Sequence, residues 1–258
     1  MMDSRAYNRD AWNSQVLKGC RWTVPVDAQQ IANARKGEWS VVLTPQVPVP
    51  KSWFGDIKGK KILGLASAGG QQGPILAAAG ADVTIYDFSP AQLGQDESVA
   101  LHEGLHIKTI EGDMADLSAI PDESFDLVFH PCSNVFVPDI NPVWREAFRV
   151  LRPGGHLLAG FCNPDTFIFD EFAMEDGGEL KVRYKLPFAE SEHLSAKGLK
   201  RLTDAGEPLQ HGHTWTDQLG GQLKVGFHII AMYEDNWEEL PISKFMNLFM
   251  ATRSWKPA

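Results

Sequence analysis

Residues 61–89, KILGLASAGGQQGPILAAAGADVTIYDFS, decide the fold of this chain. Ile62, Leu63, Gly64 and Leu65 form a short apolar run suited to a buried strand. Ala66, Ser67, Ala68, Gly69, Gly70, Gln71, Gln72 and Gly73 follow as a turn of small residues. A helix is expected from Pro74, since proline is tolerated in a first helical turn where its missing N–H has no intrahelical partner. Ile75 to Ala79 favour that helix and Gly80 can close it. Asp82 to Tyr86 reads as a second strand that delivers Asp87 to its carboxyl end, about 20 residues past the turn. Strand, turn, helix, strand and acid in this order form a nucleoside-binding arrangement. Small residues let the backbone approach a ligand, the helix start offers free N–H groups, and a carboxylate accepts hydrogen bonds from ribose hydroxyls. A parallel βαβ unit with a merely tight turn has the same outline, so the rest of the chain must decide.

Further along, Pro90 to Glu103 reads as a helix and Ile107 to Ile110 as a third strand leading into Glu111, Gly112, Asp113 and Met114. Phe125 to Phe129 is a fourth strand that exits into His130, Pro131, Cys132, Ser133 and Asn134. A helix over Pro142 to Val150, a turn at Leu151 to Gly155 and a fifth strand over His156 to Gly160 complete the unit.

The segments ILGLASAGG, IYDFS, EGDM, FDLVFH and LRPGG, spread over residues 62 to 160, resemble the class I S-adenosylmethionine-dependent methyltransferases of the type 11 group. The resemblance implies a Rossmann-like, doubly wound α/β fold, with a seven-stranded sheet whose last strand is inserted antiparallel and helices on both faces. It implies S-adenosyl-L-methionine as cofactor and S-adenosylhomocysteine as product. By position, Ala66, Ser67, Ala68 and Gly70 would cradle the methionine part. Asp87, with Phe88 and Ser89, would hold the ribose, and Gly112, Asp113 and Met114 would contact adenine.

The first turn departs from the family pattern DxGxGxG. Gly64 stands where an acid is common, and Ala66 and Ala68 replace two glycines. Gln71 and Gln72 offer amide donors and acceptors in compensation, and the GQQG turn looks like that of a bacterial subgroup. Alanine costs little there unless the backbone needs a positive φ. A degenerate site that keeps the fold without its ligand is the alternative.

The chain has 258 residues, a formal net charge of −9 and three cysteines. This length suits one large α/β domain with appendages. No Lys/Arg-rich run offers a phosphate-tracking surface, so nucleic acid is not expected as a partner. The polar start MMDSRAYNRD and the absence of a long apolar run give no membrane segment, and the cytoplasm is the expected compartment. Cys132 and Cys162 follow strands on the ligand side, but without CxxC or His/Cys ligand spacing they read as small buried residues. His211 and His213 lack a third ligand and read as loop polar groups, so no metal is expected.

Residues 1–55 are expected to form a helical, aromatic cap carrying Trp12, Trp22, Trp39 and Trp53, with a helix over Ala28 to Arg35 and a Pro-rich linker over Thr44 to Pro50. Residues 56–162 form the cofactor-binding core. An insertion over 163–213, with Phe167, Phe169, Phe172, Tyr184 and Phe188, begins where open α/β sheets bind ligands and is placed to wall an acceptor pocket. Those aromatics would equally form a second small core. Residues 214–258 complete the sheet, with a helix over Thr216 to Leu223, a strand over Gly226 to Tyr233 and a last strand within Phe245 to Trp255.

The implied chemistry is in-line displacement of a sulfonium methyl, which needs positioning and water exclusion rather than a protein nucleophile. A hydroxyl acceptor would need a base, and His130 at the exit of the fourth strand is the candidate, with a loop-orienting or cofactor-contacting role as its alternative. Asn134 is a plausible polar contact. A small-molecule acceptor fits the acidic charge and the aromatic insertion. A methyltransferase for RNA or protein, a non-catalytic binding protein and a nicotinamide dehydrogenase are the competing classes.

Overall fold

The computed structural model describes residues 4–258. Helices α1 (Ser4–Lys18) and α2 (Ala28–Arg35) precede the sheet. The second matches its expected span because Asp27 and Gln30 form a reciprocal capping box at its start. Strand β1 (Lys61–Leu65) leads through the turn into α3 (Gln72–Ala78), then β2 (Asp82–Asp87) and α4 (Pro90–Glu103). Ser89 caps α4 through Gln92 N–H, and Gly104 ends it in the left-handed region. Strand β3 (Ile107–Glu111), β4 (Phe125–His130), α5 (Asn141–Val150) and β5 (Leu151–Cys162) follow. Beyond them lie α6 (Glu171–Gly177), β6 (Phe188–Ala189), α7 (Glu190–His193), α8 (Ala196–Ala205) and β7 (His211–Gly212). Helix α9 (Gly221–Lys224), β8 (His228–Asp235) and β9 (Phe249–Trp255) end the chain.

Seven strands form one sheet in the order β3-β2-β1-β4-β5-β9-β8, and β6 pairs with β7 separately. The first five run parallel, while β9 is inserted antiparallel between β5 and β8. The strand order reverses between β1 and β4, and open sheets of this kind bind ligands beyond the strand ends at that point.

Period-two alternation along the strands explains both cores. Ile62, Leu127, Phe129 and Leu158 point to one face and pack with Ile31, Leu76 and Leu93. Leu63, Leu65, Val128 and Leu157 point to the other and meet Trp144, Ala147 and Phe227. All four of Ile62, Leu63, Val128 and Leu157 are fully buried, the mark of a sheet covered on both sides.

Several boundaries differ from the sequence expectation, among them the start of α3, at Gln72 rather than Pro74. The turn at Leu151 to Gly155 is part of β5, because Gly154 N–H and Gly155 C=O pair with Lys256. Residues Thr216–Gly220 form a π-helical turn before α9 rather than one α-helix. The strand expected over Gly226 to Tyr233 is shifted to His228–Asp235, since Gly226 closes the preceding turn with φ 109°. The last strand falls within the expected Phe245 to Trp255, at Phe249–Trp255, after a 3-10 turn at Pro241–Lys244.

Candidate active site

The first turn keeps the shape of a glycine turn without two of its glycines. Ala66 and Ala68 have φ values of 47° and 65°, and Gly70 has 73°. Each alanine therefore occupies the left-handed region, at a cost of roughly 1–2 kcal/mol per residue. The remaining glycines are required by contact. A Cβ on Gly64 would lie 2.6 Å from Ile85 Cδ1 and from Ser67 Oγ, so this site has no room for the acid common in the family pattern. A Cβ on Gly69 would come within 2.3 Å of the Gln92 carbonyl oxygen. Gln92 also accepts the Gly69 N–H through its side chain at 2.8 Å, fixing the turn against α4.

A cavity of about 570 Å³ opens above this turn, within the usual range for small-molecule sites. Ala66, Ala68, Gln71 and Gln72 line it, as do Asp87, Phe88, Asp113 and Met114. Ser67, Gly70, Ser89, Gly112 and His130 stand behind the wall. Ser67 Oγ is buried without a hydrogen-bond partner. Gly70 C=O accepts from Val26 N–H, and Gly112 packs so tightly on Tyr86 that a Cβ would sit 2.1 Å from its hydroxyl.

Asp87 uses Oδ1 to accept the Ser89 N–H at 2.8 Å, and its side chain lines the cavity. Burial pushes its carboxyl up to about 6, against the opposing pull of the Ser89 and Phe88 N–H groups. Asp113 accepts the Ala115 N–H and pairs with Arg5. Gln71 donates to the Arg21 and Val24 carbonyls, both at 2.9 Å, and Gln72 accepts the Val42 N–H at 3.1 Å. The two glutamines thus spend part of their hydrogen-bonding capacity tying the N-terminal segment to the turn. The carboxylate of Asp87, the close-packed turn and the cavity together fit an adenosine-bearing cofactor.

The N-terminal cap and the 163–213 segment complete the wall, with Asn8, Asn13, Arg21, Phe136 and Trp237 as the participants that sequence reasoning did not single out. Asn8 and Trp12 of α1 reach the cavity, and Trp12 meets Phe136 edge-on with centroids 5.2 Å apart. Asn13 Oδ1 accepts from Ser89 Oγ at 2.7 Å and Ala91 N–H at 3.2 Å, seating α1 beside Asp87. Arg21 stacks between Trp22 and Trp237, 4.8 and 4.7 Å from their ring centroids. Phe167, Tyr184 and Phe188 wall the far end, with Tyr184 and Phe188 centroids 4.7 Å apart. No spacing signal marks the contacts of Trp12 with Phe136, Asn13 with Ser89 or Arg21 with Trp237, since each joins distant parts of the chain.

His130 is fully buried. Its Nδ1 meets the Leu65 carbonyl at 2.9 Å and its Nε2 meets the Asn134 side-chain amide at 2.5 Å. Burial holds its pKa below the ordinary imidazole value, against the raising effect of those two bonds. Asn134 is likewise fully buried, and it donates to Gln218 at 2.7 Å. Cys132 and Cys162 both line the cavity, and burial raises the Cys132 thiol well above its usual range. His211 and His213 are buried, the latter meeting the Asn134 carbonyl at 2.9 Å. Among the described residues, no group of three or more His, Cys, Asp or Glu is placed to hold a metal, and no helix is long and apolar enough to cross a membrane.

A parallel sheet with an antiparallel penultimate strand, and a cavity at its switch point ending on a ribose-competent acid, define a Rossmann-like methyltransferase. Comparison with known proteins agrees. A family model described as a methyltransferase domain matches residues 63–159. A Bacillus subtilis protein named as the uncharacterized methyltransferase YbaJ is 47% identical over 251 residues, covering 97% of this chain and 98% of that protein. A sterol 24-C-methyltransferase of Gibberella zeae is 33% identical over 169 residues, covering 62% of this chain but only 42% of that protein. An S-adenosylmethionine-dependent methyltransferase from Mesorhizobium loti shares the fold, with a TM-score of 0.61 at 17% identity, over 80% of this chain and 94% of its own. The chain belongs to the class I methyltransferase family, in which S-adenosylmethionine is the methyl donor.

Proposed function

We propose that this enzyme methylates a small molecule with an apolar or aromatic body. The observation that carries the proposal is the aromatic lining of the cavity, to which Phe167, Tyr184 and Phe188 of the 163–213 segment and Trp12 of the N-terminal cap all contribute. A walled pocket of this size suits a compact ligand better than a nucleic-acid or peptide groove. The partial relative named as a sterol methyltransferase acts on an apolar acceptor, which is consistent with such a wall.

In this reading Asp87 Oδ2 receives the ribose, Asp113 and Met114 flank the adenine, and Ala66, Ala68 and Gln72 border the methionine part. When bound, the cofactor supplies a methyl on positively charged sulfur. The protein then orients the acceptor and excludes water. His130, enclosed and doubly engaged, acts as a positioning residue that ties the end of β1 to the Asn134 loop.

Calorimetric titration with S-adenosylmethionine, S-adenosylhomocysteine and NAD tests the cofactor. Transfer of labelled methyl to a small-molecule panel, set beside RNA and protein, tests the acceptor. Binding of the two sulfur nucleosides and labelling of small molecules is the expected result. Labelling confined to RNA or protein would remove the small-molecule assignment.

A further inference from the structure

Glu190, the first residue of α7, is 3% exposed yet forms part of the cavity wall. Its Oε2 accepts the Gln210 N–H at 2.7 Å, and its Oε1 has no partner among the described residues. Burial first, and then the nearby Glu171 charge, push its carboxyl up to about 8. Glu171 lines the same cavity.

Two arginines of the same segment are already engaged. Arg183 meets Asp170 at 2.6 Å, and Arg201 pairs with Glu175 and Asp176 at 3.1 and 2.8 Å. Arg5 is the single Lys or Arg side chain in the cavity wall among the described residues, and it faces Asp113. A carboxyl buried beside a second acid is costly unless a cation compensates it. The Phe188 and Tyr184 rings line the same cavity, and aromatic faces attract cations, as Arg183 over the Tyr184 ring at 5.7 Å illustrates.

We propose that the acceptor end of the cavity recognises a positively charged nitrogen, an amine or quaternary ammonium on an apolar body, with Glu190 as its counter-charge. The cation would draw Glu190 into its ionised form, because a nearby positive charge favours carboxylate. Among the described residues, Lys and Arg contribute to this wall only through Arg5, which is paired with Asp113, so an anionic acceptor finds little to favour it. The proposal rests on the small-molecule reading and concerns the group recognised, not the atom methylated.

The test is calorimetry on protein saturated with S-adenosylhomocysteine at pH 7.5, with three probes of equal shape: 4-phenylbutylamine, 4-phenylbutanol and 4-phenylbutyrate. The amine is expected to bind about tenfold or more tighter than the other two, as a charge-assisted contact provides. Glu190→Gln keeps an acceptor for Gln210 N–H and should abolish that preference while leaving the alcohol unchanged. An alcohol or carboxylate that binds as well as the amine, or an amine that does not bind, overturns the proposal. So does a Glu190→Gln protein that weakens all three alike. Retained binding of S-adenosylhomocysteine, and methyl transfer to uncharged small molecules, would leave the underlying function standing in each of those cases.

Discussion

Asn8 pairs with Leu209 as one strand pairs with another: its Oδ1 accepts the Leu209 N–H at 2.8 Å, and its Nδ2 donates to the Leu209 carbonyl at 2.9 Å. The side chain is 3% exposed, so both backbone groups of Leu209 are satisfied out of water by a residue near the other end of the chain. Asn8→Ala should therefore lose about 1–3 kcal/mol, the desolvation cost of buried groups left unpaired. Urea denaturation measures it, and a loss below about 0.5 kcal/mol would mean that water replaces the amide.

In the proposed ribose site, Asp87 would link cofactor affinity to pH. Its folded carboxyl titrates at about 6, above its ordinary 3.8. Its stability contribution is therefore complete below 3.8 and is lost as pH rises through 6. Ribose binding runs the other way, since the ionised form is the better acceptor. Affinity for S-adenosylhomocysteine should rise about tenfold between pH 5 and 7, and Asp87→Asn should flatten the curve. A flat curve in the unmodified protein would take Asp87 out of the ribose site.

Ala68→Gly should stabilise the protein by about 0.5–1 kcal/mol. The substitution relieves left-handed strain at φ 65°, offset in part by the greater freedom of glycine in the unfolded chain. Thermal and urea midpoints should both rise. A fall in both would show that the Ala68 methyl contributes packing that outweighs its strain.

His130 stays neutral near pH 7 because burial lowers its pKa from 6.5. As pH falls below 6.5 the unfolded chain takes up a proton that the folded ring resists, so stability declines toward acid. The rate of methyl transfer should show no limb near pH 6.5 assignable to this ring. A limb that disappears in a folded His130→Ala protein would make His130 a base after all. The same variant should be destabilised by about 1–3 kcal/mol through the unpaired Leu65 carbonyl.

The core was legible because its physics is local. Short, nearly continuous apolar runs at Ile62 to Leu65 and Phe125 to Phe129 specify strands buried on both faces, and the order of turn, helix and acid places Asp87 at a strand end. The positive φ at Ala66 and Ala68 was not legible, since alanine gives no sign of a left-handed backbone and tertiary contact enforces it. Gln71 and Gln72 were marked as polar groups of the turn, but their bonds to Arg21, Val24 and Val42 join segments that no periodicity connects. Glu190 escaped for the same reason: a single acid beside a two-residue strand carries no pattern until folding buries it. The domain division at 55, 162 and 213 cuts across a cavity that draws its wall from all four segments.

That shared wall makes the pocket a junction rather than a cleft in one lobe. Asn13 sits on the start of α4 and Arg21 on Trp237, so the first and last parts of the chain close around the space beside Asp87. A molecule lodged there acts as a non-covalent staple between sequence ends, and its binding energy is shared by the folding of the whole chain. At a hundred times its dissociation constant such a ligand adds about 2.7 kcal/mol to the unfolding free energy. Occupancy of the methyl-donor site is thereby written into the melting temperature of the N-terminal helix as much as into that of the sheet.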